Sequence, residues 1–394
     1  MEIQKHPGWK KISPYKKPAH LARLFLAKIL ANFYPRSNFV GITGSVGKTT
    51  TKDACLAVLS QKFETVASRD NIDPIFNIPA TLLKLRPKIK KVILEMGIEY
   101  PGEMEFYLSL VHPATAIVTR VSFAHSEFLG NIEQILTEKG LLIKQLPKDG
   151  FAILNWDDLN TRKLAEGTPA QVLFYGSNPK DCYVWASNVR IKNNKTIFEL
   201  NCGVERVEIT LNLLGRHFVT AALAAASLGI TCGISLIKIK KGLESLQPAP
   251  HRMQLLEGLG GWYVLDDTYN SSPAAVEESL NLVNELSARR RILILGEMRE
   301  LGAYSERLHR MIAQKIFKDK FDWVILGSGD TRFIGDELIK LGFASERIEM
   351  NLSHSQIVTA ILKNAGVGDI VLVKGSRAVK LDEVVKRITK TAKG

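Results

Sequence analysis

A glycine-rich segment near residue 45 could bind the phosphates of a nucleotide. Residues 39–51 read FVGITGSVGKTTT, an apolar run, two glycines, then Lys48-Thr49 at the start of a predicted helix. This order directs backbone N–H groups, a helix N-terminus and one ammonium at a polyphosphate, and the threonine hydroxyl can bind Mg²⁺. Ile42 replaces the first glycine of the standard Walker pattern, and a tight turn with a solvated lysine is the alternative. The predicted nucleotide-binding residues are Gly44, Ser45, Val46, Gly47, Lys48, Thr49 and Thr50.

Two further polar residues follow predicted strands, at the edge where open α/β sheets bind their ligands. Glu95 closes the apolar run KVILE and precedes Met96-Gly97, so its carboxylate could bind Mg²⁺ beside the phosphate loop. An ordinary acid at a strand end is the alternative. His125 follows the run TAIVT, and a single histidine is more often a structural residue than a ligand.

Lys139 lies in a predicted helix at a position where leucine would be expected. Apolar residues recur at steps of three and four between Ile132 and Leu146, and Lys139 falls on that stripe. A buried, unpaired ammonium is costly, so it would lose its proton or find an anion. Three interpretations are open: a lysine that reaches solvent at the edge of the stripe, a phosphate or carboxylate binder, and an N-carboxylated lysine whose carbamate serves Mg²⁺.

Three clusters in the second half of the chain could meet a nucleotide or another anion. Arg252 follows the proline-rich stretch QPAP at 247–250 and could reach a phosphate when two domains close; a solvated linker arginine is the alternative. Residues 266–270, DDTYN, end a predicted strand as either a helix cap or a polar site that faces the nucleotide. Residues 373–377, VKGSR, end another strand with two cations, and a basic loop is the alternative.

The composition is that of a globular protein with an excess of basic residues. The chain has 394 residues, of which 45% are hydrophobic and 24% charged, and its formal net charge is +13. Four scattered cysteines suggest neither a disulfide framework nor a zinc site, and the polar amino terminus does not resemble a signal peptide. A cytoplasmic protein is therefore expected. No pattern typical of nucleic-acid binding is present, so no such partner is expected.

The order of predicted elements indicates an α/β protein with two domains. Over residues 39–247, strand-like runs alternate with helical patterns, which predicts a P-loop-type central domain with a mainly parallel sheet. Short alternating runs between residues 172 and 214 predict antiparallel hairpins attached to that sheet. The alternation restarts over residues 248–394, which predicts a Rossmann-like C-terminal domain.

A basic extension, residues 1–38, precedes the central domain and contains a predicted amphipathic helix. Residues 20–34 read HLARLFLAKILANFY, with six large apolar residues at helical spacing. We expect this helix to pack against the nucleotide domain. A weak contact with an anionic membrane surface is the alternative.

Taken in order, these motifs resemble the Mur ligase family of ATP-dependent amide-bond ligases, and within it the MurF type. The similarity runs from about Phe39 to Lys386 and rests on GITGSVGKTTTK, ILEMG, AHSEFLGNIEQILTEKG, ILNWDD, LLGRH, HRM, LDDTYNSSPAA, LGEMRELG and LVKGSR. The resemblance implies transfer of the γ-phosphoryl group of ATP to a carboxylate, and attack of an amine on the acyl phosphate. Closure of two hinged domains would bring the amine to the acyl phosphate and exclude water.

The resemblance also implies roles for the residues around the phosphate loop. Lys48 would bind the β- and γ-phosphates, and Thr49 and Glu95 would hold a first Mg²⁺. His125 would serve a second Mg²⁺. Lys139 stands at the family's spacing from His125 for a carbamylated lysine, so the resemblance favours the third interpretation of that residue.

Further positions match residues that the family places around its substrates. Asn155 and Asp158 would lie beside the nucleotide, and Arg252 and Asp267 would complete the ATP site. The substrates implied are a UDP-linked muramoyl peptide, or another carboxylate acceptor, and a dipeptide or amino-acid amine. The expected substrate-side residues are Asn71, Asn270, Lys374 and Arg377.

Three departures from the family pattern bear on the substrates. Family members carry a whole N-terminal domain for the UDP-sugar where this sequence has 38 residues. The pattern GxHNxxN becomes GRHFVTA at 215–221, so Phe218 and Ala221 replace two nucleotide-binding asparagines, and Phe218 could stack on the base. The substrate-loop pattern NxNN becomes NIDP at 71–74.

These departures leave two alternatives beside a monomeric cell-wall ligase of the MurF type. The first keeps the chemistry with another acceptor, as in ligases that resemble cyanophycin synthetase or folylpolyglutamate synthase. The second is a nucleotide-binding, non-catalytic subunit that needs a partner protein to supply the acceptor.

Overall fold

The computed structural model describes residues 6–10, 12–69 and 72–390, and these form two compact units. Most of the chain up to Leu246 belongs to the first unit, and residues 247–390 belong to the second. Both units are α/β, as the alternating pattern predicts. Asn71, an expected substrate residue, lies outside the described residues.

The first unit is built on a nine-stranded sheet. The strand order is β2-β3-β1-β4-β5-β6-β7-β8-β9. The pairs from β2 to β7 in this order are parallel, and β8 and β9 form the expected antiparallel pair. The strands are β1 Phe39–Thr43, β2 Thr65–Ala67, β3 Lys91–Glu95, β4 Thr115–Val118, β5 Phe151–Asn155, β6 Gln171–Gly176, β7 Val184–Lys192, β8 Lys195–Cys202 and β9 Glu205–Leu211.

Central strands of this sheet are buried along their whole length because helices cover both faces. All five residues of β1 are buried, and so are all four of β4. The helices of the unit are α1 Pro7–Lys10, α2 Lys17–Asn32, α3 Lys48–Leu59, α4 Pro74–Leu82, α5 Glu103–Leu110, α6 Ser126–Leu129, α7 Ile132–Lys144, α8 Leu159–Lys163, α9 His217–Thr231 and α10 Leu236–Glu244.

The amino-terminal helices pack on this unit. One side of α2 buries Ala27 and Ala31 in the core that also holds Phe39, and α2 contacts α4 and α5. Ahead of α1, the Nδ1 of buried His6 accepts a hydrogen bond from Gly8 N, and its Nε2 donates to Glu103 at 2.6 Å. This contact fastens the segment to the start of α5.

The second unit has a six-stranded sheet in the order β10-β11-β15-β12-β13-β14. Only the edge pair β10–β11 is antiparallel among its pairs. Its elements are β10 Gln254–Glu257, β11 Tyr263–Asp267, α11 Pro273–Glu285, β12 Arg291–Leu295, α12 Ser305–Lys318, β13 Trp323–Leu326, α13 Arg332–Lys340, β14 Ile348–Glu349, α14 His354–Asn364, β15 Ile370–Lys374 and α15 Asp382–Ile388. Within the described residues, no helix is both long and apolar enough to cross a membrane.

Candidate active site

The glycine-rich loop connects β1 to α3, and two of its positions require glycine. Gly44 has a φ of +147°, and a Cβ there would lie 2.0 Å from the Thr119 hydroxyl. Gly47, with a φ of +84°, occupies the left-handed region at the N-cap of α3. Since α3 begins without a side-chain cap, its N-terminus keeps the arrangement that suits a phosphate.

The residues that follow β4 hold this loop in place. Ser45 N donates to Arg120 O at 2.6 Å, and the Ser45 hydroxyl donates to Ser122 O at 2.7 Å. The Thr119 hydroxyl donates to Val46 O at 2.6 Å. The loop is therefore fixed by its neighbour strand before any ligand arrives, which lowers the entropic cost of binding.

Lys48, Thr49 and Glu95 lie together at the carboxyl ends of β1 and β3, which pair in parallel with Ile42 opposite Glu95. The Lys48 ammonium donates to Gly44 O at 2.8 Å, across the loop. The Thr49 hydroxyl donates to Glu95 Oε1 at 3.1 Å. The fold thus places Lys48, Thr49 and Glu95 at one edge of the sheet, with Thr49 and Glu95 in direct contact.

These side chains fit a hard cation beside a phosphate. A hydroxyl and a carboxylate are oxygen donors, which Mg²⁺ prefers, and Mg²⁺ commonly takes one or two protein ligands together with phosphate oxygens. The Thr49–Glu95 hydrogen bond shows that the two donors lie close enough to serve one ion.

Lys139 is buried on α7, which begins with a capping box formed by Asn131 and Gln134. Its side chain is only 2% exposed, and among the described residues its ammonium has no hydrogen bond or ion pair. Burial lowers the pKa of Lys139 well below its usual value, and the charge of Lys48 lowers it further, against Glu103 and Glu138. The interpretation as a lysine that reaches solvent is therefore wrong.

Unmodified Lys139 makes stability depend on pH. Its folded pKa is lowered, so between that pKa and the unfolded value of about 10.4 the unfolded chain binds more protons and stability rises with pH. We expect the unfolding free energy of the native chain, relative to Lys139→Met, to increase as pH rises toward 10 in CO₂-free urea titrations. Lys144→Met, on an exposed position of the same helix, serves as control. An unchanged difference across this range would contradict the lowered pKa of Lys139 in the folded chain.

Asn155 and Asp158 support the residues that hold the phosphate loop. Asn155 donates to Thr119 O at 2.8 Å. Asp158 caps α8 by accepting from Thr161 N at 2.7 Å, and it also accepts from Val121 N at 3.3 Å. Both thus contact residues 119–121.

Two further residues of this unit were singled out by the sequence, His125 as a Mg²⁺ ligand and Phe218 as a ring that could stack on the base. His125 is half-buried on the loop that follows β4, with a left-handed φ of +56° at the N-cap of α6. Phe218 and Ala221 are buried in α9, and the Phe218 ring lies 4.1 Å from that of His217.

The second unit has a buried ion pair at the carboxyl ends of β11 and β15. Asp267 and Lys374 are opposite each other in the parallel register. The Lys374 ammonium donates to Asp267 Oδ2 and, at 3.0 Å, to Asn270 O. Ser279 donates to the same carboxylate at 2.7 Å, and Met253 N donates to its other oxygen at 3.3 Å. Lys374 is 1% exposed. Its ammonium therefore pairs with Asp267 and does not reach the surface.

Removing both members of this pair should cost less than the two single removals added together. We expect Lys374→Met to lower the unfolding free energy by about 3–5 kcal/mol, because it leaves an uncompensated buried carboxylate. Lys374→Met/Asp267→Asn should cost clearly less than the sum of the single variants. Lys386→Met, which removes an exposed lysine from its 3.4 Å pair with Asp382, should cost no more than about 1 kcal/mol. Additive costs in urea unfolding would refute the pairing.

Arg252 and Arg377 differ in how they are held. The Arg252 guanidinium lies 3.7 Å from the centre of the Tyr269 ring, a stacking geometry that orients a guanidinium fork. Neighbouring His251 contacts Asp266 at 2.7 Å, and its carbonyl accepts from Tyr269 N. Arg377 is exposed on a short 3₁₀ turn after β15.

Three supporting residues were missed by the sequence analysis. Thr119 and Ser122 hold the phosphate loop, and Ser279 holds Asp267. Thr119 ends the run TAIVT, so its place at a strand end was a usable signal. Ser279 gave none, since a serine within a helical pattern does not reveal which strand it contacts.

Comparison with known proteins covers both units. Residues 42–229 match the Mur ligase middle domain, and residues 251–377 match the Mur ligase glutamate ligase domain. The chain belongs to the Mur ligase family. Among curated relatives, the UDP-N-acetylmuramoyl-tripeptide–D-alanyl-D-alanine ligase of Bacillus subtilis is 31% identical to this Mur ligase over 348 residues, 88% of this chain and 75% of the relative. The corresponding Escherichia coli ligase is 29% identical over 358 residues, 89% and 76% of the two chains.

Solved structures share the fold of this Mur ligase. MurF from Acinetobacter baumannii superposes with a TM-score of 0.84 at 23% identity, covering 93% of this chain and 80% of that one. MurF ligase from Thermotoga maritima, solved in complex with ADP, gives a TM-score of 0.81 at 24% identity and covers 93% and 83%.

Proposed function

We propose that this chain is an ATP-dependent ligase that joins D-alanyl-D-alanine to the carboxylate of a UDP-N-acetylmuramoyl tripeptide in peptidoglycan precursor synthesis. One observation carries the proposal: relatives with this activity in their names align with nearly nine-tenths of the chain, through both units. The phosphate loop of the first unit and the charged strand ends of the second supply side chains that such chemistry uses.

The proposed reaction has two steps. A carboxylate oxygen of the acceptor attacks the γ-phosphorus of ATP, which forms an acyl phosphate and releases ADP. The dipeptide amine then attacks the acyl carbon, and the tetrahedral intermediate expels phosphate and loses a proton to give the amide. The protein forms no covalent bond to the transferring phosphoryl group. Catalysis therefore depends on positioning the reactants and on stabilising the negative charge of the phosphates.

In the first unit, Lys48 is assigned to the β- and γ-phosphates, and the backbone of residues 44–50 to the surrounding oxygens. Thr49 and Glu95 would hold the first Mg²⁺, and their 3.1 Å contact supports this. When bound, Mg²⁺ offsets negative charge on the phosphates. Asn155 and Asp158 act by fixing residues 119–121, on which the loop rests.

We further propose that Lys139 is carbamylated and, with His125, serves a second Mg²⁺. The neutral amine attacks CO₂ to give an N-carboxylate and releases one proton. A lysine whose pKa is lowered by burial offers more of that neutral amine. The change also removes an unpaired buried ammonium and supplies an oxygen ligand, which Mg²⁺ prefers.

In the second unit, Arg252 and Asp267 are proposed to complete the ATP site. The stacking of Arg252 on Tyr269 and the three donors to Asp267 keep both groups oriented. Lys374 is then a positioning residue for Asp267. Asn270 and exposed Arg377, together with Asn71 of the first unit, remain the proposed contacts to the carboxylate acceptor and the dipeptide.

The reaction is placed in the cytoplasm, where ATP and UDP-linked precursors are available, and a single chain is proposed to suffice. The test is to incubate the purified chain with Mg-ATP, UDP-N-acetylmuramoyl tripeptide and D-alanyl-D-alanine, and to measure ADP and amide together. We expect equal amounts of ADP and amide, and no turnover when the dipeptide is omitted. Turnover with a different acid–amine pair alone would assign another acceptor. ATP binding without turnover on any pair would favour a non-catalytic subunit.

A further inference from the structure

Helix α2 is apolar on two sides, and only one of them is covered. The inner side places Ala27 and Ala31 in the core of the first unit. The outer side has Leu21, Phe25, Ile29 and Phe33 at successive steps of four, with Leu26 beside them. Residues four apart lie above one another on a helix, so these five form one continuous strip. We refer to them as the outer apolar face.

The outer apolar face is open to solvent. Phe25 is 65% exposed and Phe33, at the C-cap of α2, is 79% exposed, and the other three are also exposed. Scattered exposed apolar residues are ordinary, but five in register on one helix mark a surface that meets an apolar partner.

The charges around this face specify what kind of partner fits. Lys16, Arg23 and Lys28 are exposed beside it, and no acidic residue occurs between residues 3 and 52. A protein partner of ordinary composition carries charges of both signs, so it would not offer a negative group to each of these cations. An anionic lipid surface offers an apolar interior and a continuous layer of negative headgroups, which is the combination that basic amphipathic helices bind.

We propose that α2 docks the protein on an anionic membrane surface, with the outer apolar face inserted among the acyl chains and Lys16, Arg23 and Lys28 at the headgroups. The inner side stays packed on the first unit, so the fold itself anchors the helix. Docking is peripheral, and it does not depend on which acid and amine the protein joins.

The test is cosedimentation of the full chain with two kinds of vesicle, pure phosphatidylcholine and phosphatidylcholine mixed equally with phosphatidylglycerol. We expect binding to the mixed vesicles, weaker binding at high salt, and little binding to phosphatidylcholine. Phe25→Ser/Phe33→Ser should lower the partition coefficient at least about tenfold, since each buried phenyl ring contributes strongly to transfer. Lys16→Gln/Lys28→Gln should lower it at least about fivefold on mixed vesicles only.

The matched control is Val204→Ser/Ile237→Ser, which removes two exposed apolar side chains from other surfaces of the same unit and should bind as the native chain does. All six substituted side chains are exposed, and circular dichroism should show native folding. Absent binding to mixed vesicles, or equal loss in the control, would overturn the proposal. A dimer that Phe25→Ser/Phe33→Ser dissociates, without vesicle binding, would assign the face to a second copy of the chain instead.

Discussion

Lys139→Ala should lower the rate of amide formation by about a hundred- to a thousandfold, the usual cost of removing one electrostatic group from such a site. The variant loses the proposed carbamate and with it a ligand for Mg²⁺. Small carboxylates or added bicarbonate should restore part of the rate, because the truncated side chain leaves room for an anion where the carbamate would lie. The measurement is steady-state ADP and amide formation with and without the added acid.

Lys144→Ala is the matched control, because Lys144 lies on the same helix but is exposed. It should retain native activity and show no response to the added acid. A Lys139→Ala enzyme of native rate would refute a catalytic role for this residue. A slow enzyme that no small anion rescues would leave the lysine in the site but argue against the carbamate.

Lys48→Met should reduce kcat/KM for ATP by about a thousandfold, because a cation on the transferring phosphoryl group acts chiefly in the transition state. Its ammonium crosses the phosphate loop to Gly44 O, which is where the β- and γ-phosphates are expected. Calorimetric titration with a non-hydrolysable Mg-ATP analogue, beside the kinetic measurement, separates weaker binding from slower chemistry.

Lys88→Met is the control for Lys48, since Lys88 is a surface lysine whose partner Glu64 is also exposed. It should change neither binding nor rate. Comparable losses in both variants would mean that general charge, and not the phosphate loop, attracts the nucleotide. Native kinetics in Lys48→Met would remove the phosphate loop from the mechanism.

The elements of the fold were largely predictable from local pattern. The runs at 91–95 and 151–155 form β3 and β5 with the predicted bounds, and the stripe from Ile132 forms α7. Such runs are short, apolar and bounded by turn residues, so their conformation follows from local sequence. Residues 266–270 were expected to end a strand, and Asp266 and Asp267 are the last two residues of β11, because pairing with β15 continues to Lys374.

Site residues were predictable from the sequence where they lie in one continuous segment, and less so where segments distant in the sequence meet. The phosphate loop is contiguous, and its glycines report their own backbone conformation. Lys374 was expected to meet a substrate because of the resemblance to the Mur ligases. Its partner Asp267 is brought opposite by strand register, which sequence spacing does not encode. The same holds for His6 and Glu103, which no local pattern connects. For α2, the sequence predicted an amphipathic helix but not which of its apolar residues the core covers.

Isotope transfer from the acceptor gives the most direct test of the proposed ligase chemistry. The tripeptide carboxylate is labelled with ¹⁸O, the reaction is run with Mg-ATP and D-alanyl-D-alanine, and the released phosphate is analysed by mass spectrometry. An acyl phosphate requires one acceptor oxygen to leave with each phosphate, so each phosphate formed should carry one ¹⁸O. Unlabelled phosphate, with the departing ¹⁸O recovered in another product such as water or AMP, would contradict the account.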